Sequence, residues 1–277
     1  MRNLLSAGFV RLWKCKIFWI SCAFMAILPS ITILNWHYEN VTYNIYQRLD
    51  SCFFYFLVFI GILSAAVCAM LIGAEHRDGG IRSRLIAGHT RAKIYLANLI
   101  VCSAASCMMC TAAVAPGLCL GLPLLNGFAM GMTKALFYIA GVYVMSLAYA
   151  ALFTLLAMFV TGRAASAVSA ILLSLVLLLS GLYISGRLDA QPTVDGYTIN
   201  IEGVITHTEQ EPNPDYLPDG PKRQVFQFLY DFFPGGQSVQ YGSLRAERPE
   251  LLMAYDAIVF ILASGTGLFL FRRNDLK

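Results

Sequence analysis

Six runs of apolar residues, each close to twenty long, alternate with polar segments along the chain. A helix needs about 20 apolar residues to cross the hydrocarbon core of a bilayer, so each run predicts a membrane span. They are Ile17–Leu34, Cys52–Ala74, Ile94–Leu118, Ala135–Val160, Ala164–Ile184 and Ala254–Phe271. No charged residue lies at the centre of any run, and Asp256 sits at one edge of the last. Pro29 and the pair Pro116-Gly117 predict a kink or an end in their helices, which membrane helices tolerate. The first run does not read as a cleaved leader. Basic residues precede it, but no small-x-small site follows, only Asn35-Trp36-His37, and five more runs come after.

Two further helices are predicted outside the spans. Leu5, Phe9, Leu12 and Trp13 recur at helical spacing, with Arg2, Arg11 and Lys14 elsewhere on the wheel. That is the pattern of a helix lying in a membrane surface. From Lys222 to Phe233, the residues Val225, Phe228, Leu229, Phe232 and Phe233 make one stripe, ended by Pro234-Gly235-Gly236. Thr193–Thr208 holds an Asp195-Gly196 turn signal among β-favouring residues and predicts a hairpin. Residues 209–221, rich in Pro, Asp and Glu, predict a loop. The expected organisation is a surface helix over 1–16, five spans over 17–184 with a polar loop at 75–93, a long loop over 185–253, and a last span with its tail over 254–277. No internal repeat is visible, and the fold class is an all-α integral membrane protein.

Composition fits this reading. Of 277 residues, 58% are hydrophobic and 13% charged, against about 25% charged in soluble domains. The mean hydropathy is +0.64. A soluble globule and a disordered chain are both excluded. The net charge of +4 is too small to argue for nucleic acid, but its distribution is informative. Thirteen bases lie at the N-terminus, in the second-to-third and fourth-to-fifth loops, and at the C-terminus. The two short loops opposite carry only Arg48 and Lys134. The positive-inside rule then puts both termini in the cytoplasm and the long loop outside. The expected location is the plasma membrane. The eight cysteines lie in or beside apolar runs and read as small hydrophobes.

Several chemistries lose their residues. No Gly-Lys pair occurs, so there is no Walker A loop, and there is no HExxH, no GxSxG and no pair of intramembrane aspartates. The four histidines are far apart, which argues against a metal site. Gly235-Gly236-Gln237 is similar to part of an ATPase signature sequence, but helix termination explains it better. Spans without central charges lack the usual ion-coupling groups, which points to energy supplied by another subunit. A carrier working through broken helices, or a membrane-anchored structural or sensory protein with a partner-binding loop, is the alternative.

The segment Glu75 to Arg91 carries the most information. The second span breaks at Gly79-Gly80. Ile81–Ala87 then makes a helix of two turns stopped at Gly88, and Thr90 is placed to cap the next span. Ile81 and Leu85 lie one turn apart, flanked by Arg77, Arg82 and Arg84. This is either a knob for a cleft on a soluble partner or simply a basic anchor.

The Glu75-x-x-x-Gly79-x-Ile81-Arg82 run, the following Leu85-Ile86-Ala87-Gly88-His89-Thr90-Arg91 and the terminal Phe271-Arg272-Arg273-Asn274-Asp275-Leu276-Lys277 resemble permease subunits of bacterial type-2 ABC exporters. The resemblance implies that Glu75, Arg77, Asp78, Gly79, Ile81, Arg82, Arg84, Leu85, Ile86 and His89 form a coupling helix for an ABC ATPase. It implies no catalytic residue and no metal in this chain, with ATP and Mg bound by the partner. It further implies two ATPase copies and a second permease chain, as a homodimer or with a similar protein. The expected substrate is amphipathic, a peptide first and then a drug or lipid. Phe53, Tyr55, Phe56 and Phe59 are the candidates for its pathway, and Phe228, Leu229 and Phe232 for an outer gate.

Overall fold

The computed structural model describes residues 1–77, 79–160, 162–199 and 205–273. All six apolar runs are helices, as a backbone in lipid must bond within itself. In chain order the elements are α1 (Arg2–Lys14), α2 (Lys16–Tyr43), α3 (Asp50–Phe53), a 3-10 turn (Phe54–Phe56), α4 (Leu57–Arg77), α5 (Gly80–Ile86) and α6 (Arg91–Leu124). They continue with α7 (Met132–Phe159), α8 (Arg163–Asp189), β1 (Thr193–Ile199), β2 (Ile205–Pro212), α9 (Pro221–Phe232), α10 (Pro234–Gly242) and α11 (Pro249–Arg273). Six of the helices are long and apolar enough to cross a membrane. Five of them are longer than their apolar stretches, and the second stretch is shared among α3, the 3-10 turn and α4. Pro29, Pro116 and Pro123 lie inside α2 and α6, and those helices continue past them.

The bundle is built around α4, α6 and α7, whose small and aromatic residues (Ala65, Ala105, Ala113, Ala148, Tyr149, Phe153) are fully buried. The flanking spans keep apolar faces outward, as Val168, Leu172, Val176 and Leu179 of α8 do, which suits contact with lipid. Tyr95, near the start of α6, packs on Phe271 near the end of α11 (6.3 Å between ring centroids). The chain's ends and α5 therefore share one face of the bundle. On the opposite face Asp50 opens α3 and accepts bonds from the amides of Ala129 and Met130, tying two loops together.

Three sequence expectations shift. The inward line of α1 is Leu4, Gly8 and Leu12, packed on α6, while Leu5 and Phe9 are half-buried beside it and Trp13 is exposed. The hairpin forms, but Asp195-Gly196 is no turn. It lies inside β1, where the register shifts between Val194 and Gly196, and β2 runs on to Pro212. Residues 200–204, between the two strands, lie outside the described residues. Pro234-Gly235-Gly236 does end α9, and it also begins α10, a buried helix that the sequence reading missed. Pro234 serves at the first helical position, where its missing N–H costs nothing. The two glycines allow backbones to meet. A Cβ on Gly235 would overlap the Leu177 carbonyl oxygen, and one on Gly181 would lie 2.6 Å from the Gly235 oxygen.

Candidate functional site

The face that carries the chain ends is organised by one carboxylate. Glu75, in the last turn of α4, has a side chain only 1% exposed. It pairs with Arg11 of α1 and with Arg84 of α5, whose Nη1 lies 3.0 Å from Oε1. Asn98 of α6 donates from Nδ2 to Oε2 at 2.9 Å. One acid thus joins the surface helix, the short helix and two spans. Half-burial lowers the Arg84 guanidinium from its ordinary value, but arginine stays charged at any physiological pH.

The chain around Glu75 folds as its glycines require. Gly79 at φ +66° and Gly88 at φ +84° bracket α5, both left-handed positions that favour glycine. The Ser83 hydroxyl donates back to the Gly79 carbonyl (3.0 Å). At the other end the amides of Gly88 and His89 donate to the carbonyls of Leu85 and Arg84 (3.0 and 3.1 Å), closing the helix. Thr90 stands at the start of α6, where its carbonyl accepts the first helical bond and its hydroxyl makes no cap.

Side-chain directions differ from the expectation. Ile81 is 3% exposed and belongs to the main core, with Leu85 packed against it. The i, i+4 pair therefore anchors α5 to the bundle and does not project. Periodicity showed that the two share a face but not which way that face points, and burying two aliphatic chains, worth about 1.5–3 kcal/mol each, decides it. The projecting apolar side chain is Ile86, 88% exposed, with exposed Arg82, Ser83 and Ala87 around it and His89 half-buried. Arg84 turns inward to Glu75. Arg77 ends α4, and Asp78 lies outside the described residues.

The expected pathway aromatics also separate. Phe53 and Phe56 are fully buried in an aromatic cluster with Phe54 and Phe128, so they hold the fold. Phe59 is half-buried on Phe24, and Tyr55 alone of the four is exposed, against Trp36. The α9 stripe does meet the bundle. The Phe228 and Phe232 rings stack 5.4 Å apart, and both pack edge-on against Tyr255 of α11. Leu229 and Phe232 are half-buried and Phe228 is half exposed.

Two concavities flank α9. One, of about 600 Å³, is lined by Lys134, Asp189, Arg223, Asp231, Arg245 and Arg248 among others. Burial raises the Asp231 carboxyl, while Gln227 and Gln240 donate to it (3.0 and 2.9 Å) and hold its charged form. The second, about 310 Å³, is an apolar cleft between Leu152, Leu155, Leu173, Leu177, Phe232 and Val259. The sequence reading found neither, since each is made by elements far apart in the chain.

Six membrane-length helices around a shared core, with a small helix fixed between two of them on one face, define a multi-pass membrane protein. The chain belongs to the ABC-2 transporter family: the model of the ABC-2 family transporter protein matches residues 4–181, from α1 to within α8. It is thus a membrane-spanning permease subunit of an ABC transporter, which works with an ABC ATPase subunit. No curated protein and no solved structure matches it significantly.

Proposed function

We propose that this permease is half of the membrane part of an ATP-driven exporter, acting as a homodimer or with a similar second permease. Two ATPase subunits, which bind ATP and Mg, complete it. The observation that carries the reading is α5. It is a two-turn helix clamped through Glu75 to α1, α4 and α6, with Ile86 standing into the aqueous phase beside Arg82. A rigid knob of this kind passes on the motion of a partner seated on it. ATP-driven closure of the ATPase pair would displace α5, and α1 and α6 with it, switching a cavity between two states. The apolar cleft beside a cavity lined with both charges supports an amphipathic substrate, a peptide first and a drug or lipid second. Phe228 and Phe232, seated on Tyr255, are with Leu229 the gate residues on that side.

Native mass measurement of the complex in lipid nanodiscs tests the assembly. Two permease chains with two ATPases are expected; one permease per ATPase pair would refute it. Orientation is tested in a cysteine-free background. Asp219→Cys, whose native side chain is 97% exposed, should react with an impermeant maleimide added to intact cells, and Ser83→Cys should not. The reverse labelling would move α5 away from any cytoplasmic ATPase.

A further inference from the structure

Asp256 lies two turns inside α11 and is fully buried, and neither carboxyl oxygen has a hydrogen-bond partner. Among the described residues it makes no ion pair. One turn before it, the Leu252 carbonyl accepts from Gln237 Nε2 of α10 (3.3 Å). Gln237 is fully buried too, and its Oε1 is unpartnered. The next residue of α10, Ser238, bonds the Tyr149 hydroxyl of α7 (3.1 Å). Tyr241 of α10 donates to the Pro249 carbonyl at the start of α11 (3.4 Å). Three acceptor oxygens without donors therefore gather where α7, α10 and α11 meet.

Several other titratable groups on the elements packed against α11 are engaged elsewhere, Tyr143 of α7 with the Thr111 hydroxyl among them (2.8 Å). Tyr138 of α7 donates to the Ala246 carbonyl (2.8 Å), and Tyr95 of α6 to that of Ala263 (3.5 Å). Lys134 of α7 sits over the Tyr138 ring, and Asp231 of α9 accepts from Gln227 and Gln240. Arg223 of α9 bonds the carbonyls of Leu217 and Leu188. Among the described residues no cation pairs with Asp256, and a bare carboxylate in such a place is too costly to keep.

We propose that Asp256 is a proton-binding site that reports and controls the seating of α10. It holds a proton while Gln237 and Tyr241 of α10 are bonded to the α11 backbone. When α10 moves off and water enters, the proton passes from the carboxyl oxygen to water and leaves a solvated carboxylate. The closed arrangement binds the proton more tightly than the open one, so by linkage alkaline pH favours opening. This goes beyond ATP-driven transport and is tested without the ATPase.

The purified chain in lipid nanodiscs is titrated by infrared spectroscopy, and exchange of the 234–242 amides is followed in parallel, corrected for the intrinsic pH dependence of exchange. At neutral pH a protonated-carboxyl band is expected that shifts in heavy water and is absent in Asp256→Asn. Protection of α10 should fall by about tenfold or more as the band is lost on raising the pH, as linkage requires, and should be independent of pH in Asp256→Asn. Should that variant not fold, aspartate-selective carbon-13 labelling of an Asp231→Asn chain, which lacks the other carboxyl that burial raises, isolates the same band. An ionised carboxylate at neutral pH, including one formed only with added sodium or potassium, would overturn the proposal. So would α10 protection that does not follow the band.

Discussion

Ile86→Asp should abolish stable association with the ATPase, and Ile86→Ala should weaken it by about 5- to 150-fold. Interfaces rest on a few anchors, and truncating one costs on the order of 1–3 kcal/mol. Ile86 is 88% exposed and touches little of its own chain, so the melting temperature of the purified permease should not move. Ile81→Ala supplies the contrast. That side chain is buried, and truncation there costs about 2–5 kcal/mol of permease stability. Copurification and thermal unfolding together separate the two. If both Ile86 variants bind the ATPase as the parent does, α5 is an anchor of the fold and does not dock.

Glu75→Ala should be the most damaging substitution on that face. It strands Arg11, Arg84 and Asn98 together. Removing one partner of a buried pair costs about 3–5 kcal/mol, because the charge left behind stays desolvated. Arg11 is one-third exposed and can turn to water, so Arg84 accounts for most of the loss. Glu75→Gln keeps the bond from Asn98 and removes the charge, and should fall between the parent and Glu75→Ala. Arg84→Met in the Glu75→Ala background should restore part of the lost stability, since it removes the stranded cation. Thermal unfolding in detergent measures all four. Equal stability of Glu75→Ala and the parent would mean that the cluster contributes nothing to the fold.

The spans were legible because lipid imposes one requirement, a long apolar run, and each run meets it without its neighbours. The elbow at Gly79-Gly80 and the stop at Gly88 were legible for a similar local reason, since a left-handed residue announces itself. The hub was not. Glu75 was singled out, but as a partner-facing acid, and nothing local in Arg11 or Asn98, 64 positions before and 23 after it, says that they converge there. α10 was hidden for a different reason. Apart from Pro234 and Tyr241 its buried residues are Gly, Gln and Ser, so it carries no apolar stripe, and Gly235 is required by contact with Leu177 of α8, far earlier in the chain.

That contact makes α8 a lever. Its 27 residues form a rod of about 40 Å. At one end Gly73 of α4 lies so near that an added Cβ would be 2.9 Å from the Arg163 Cα. At the other, Gly181 and Leu177 press backbone to backbone against Gly235. The far joint is backbone on backbone, with no side chain that could yield by changing rotamer, and the near one meets the Arg163 backbone with its Cβ and Cγ beside it. A tilt given to the rod where it meets Gly73 of α4 therefore arrives at α10 with little slack, and a single methyl group at position 235 would pry the far joint apart.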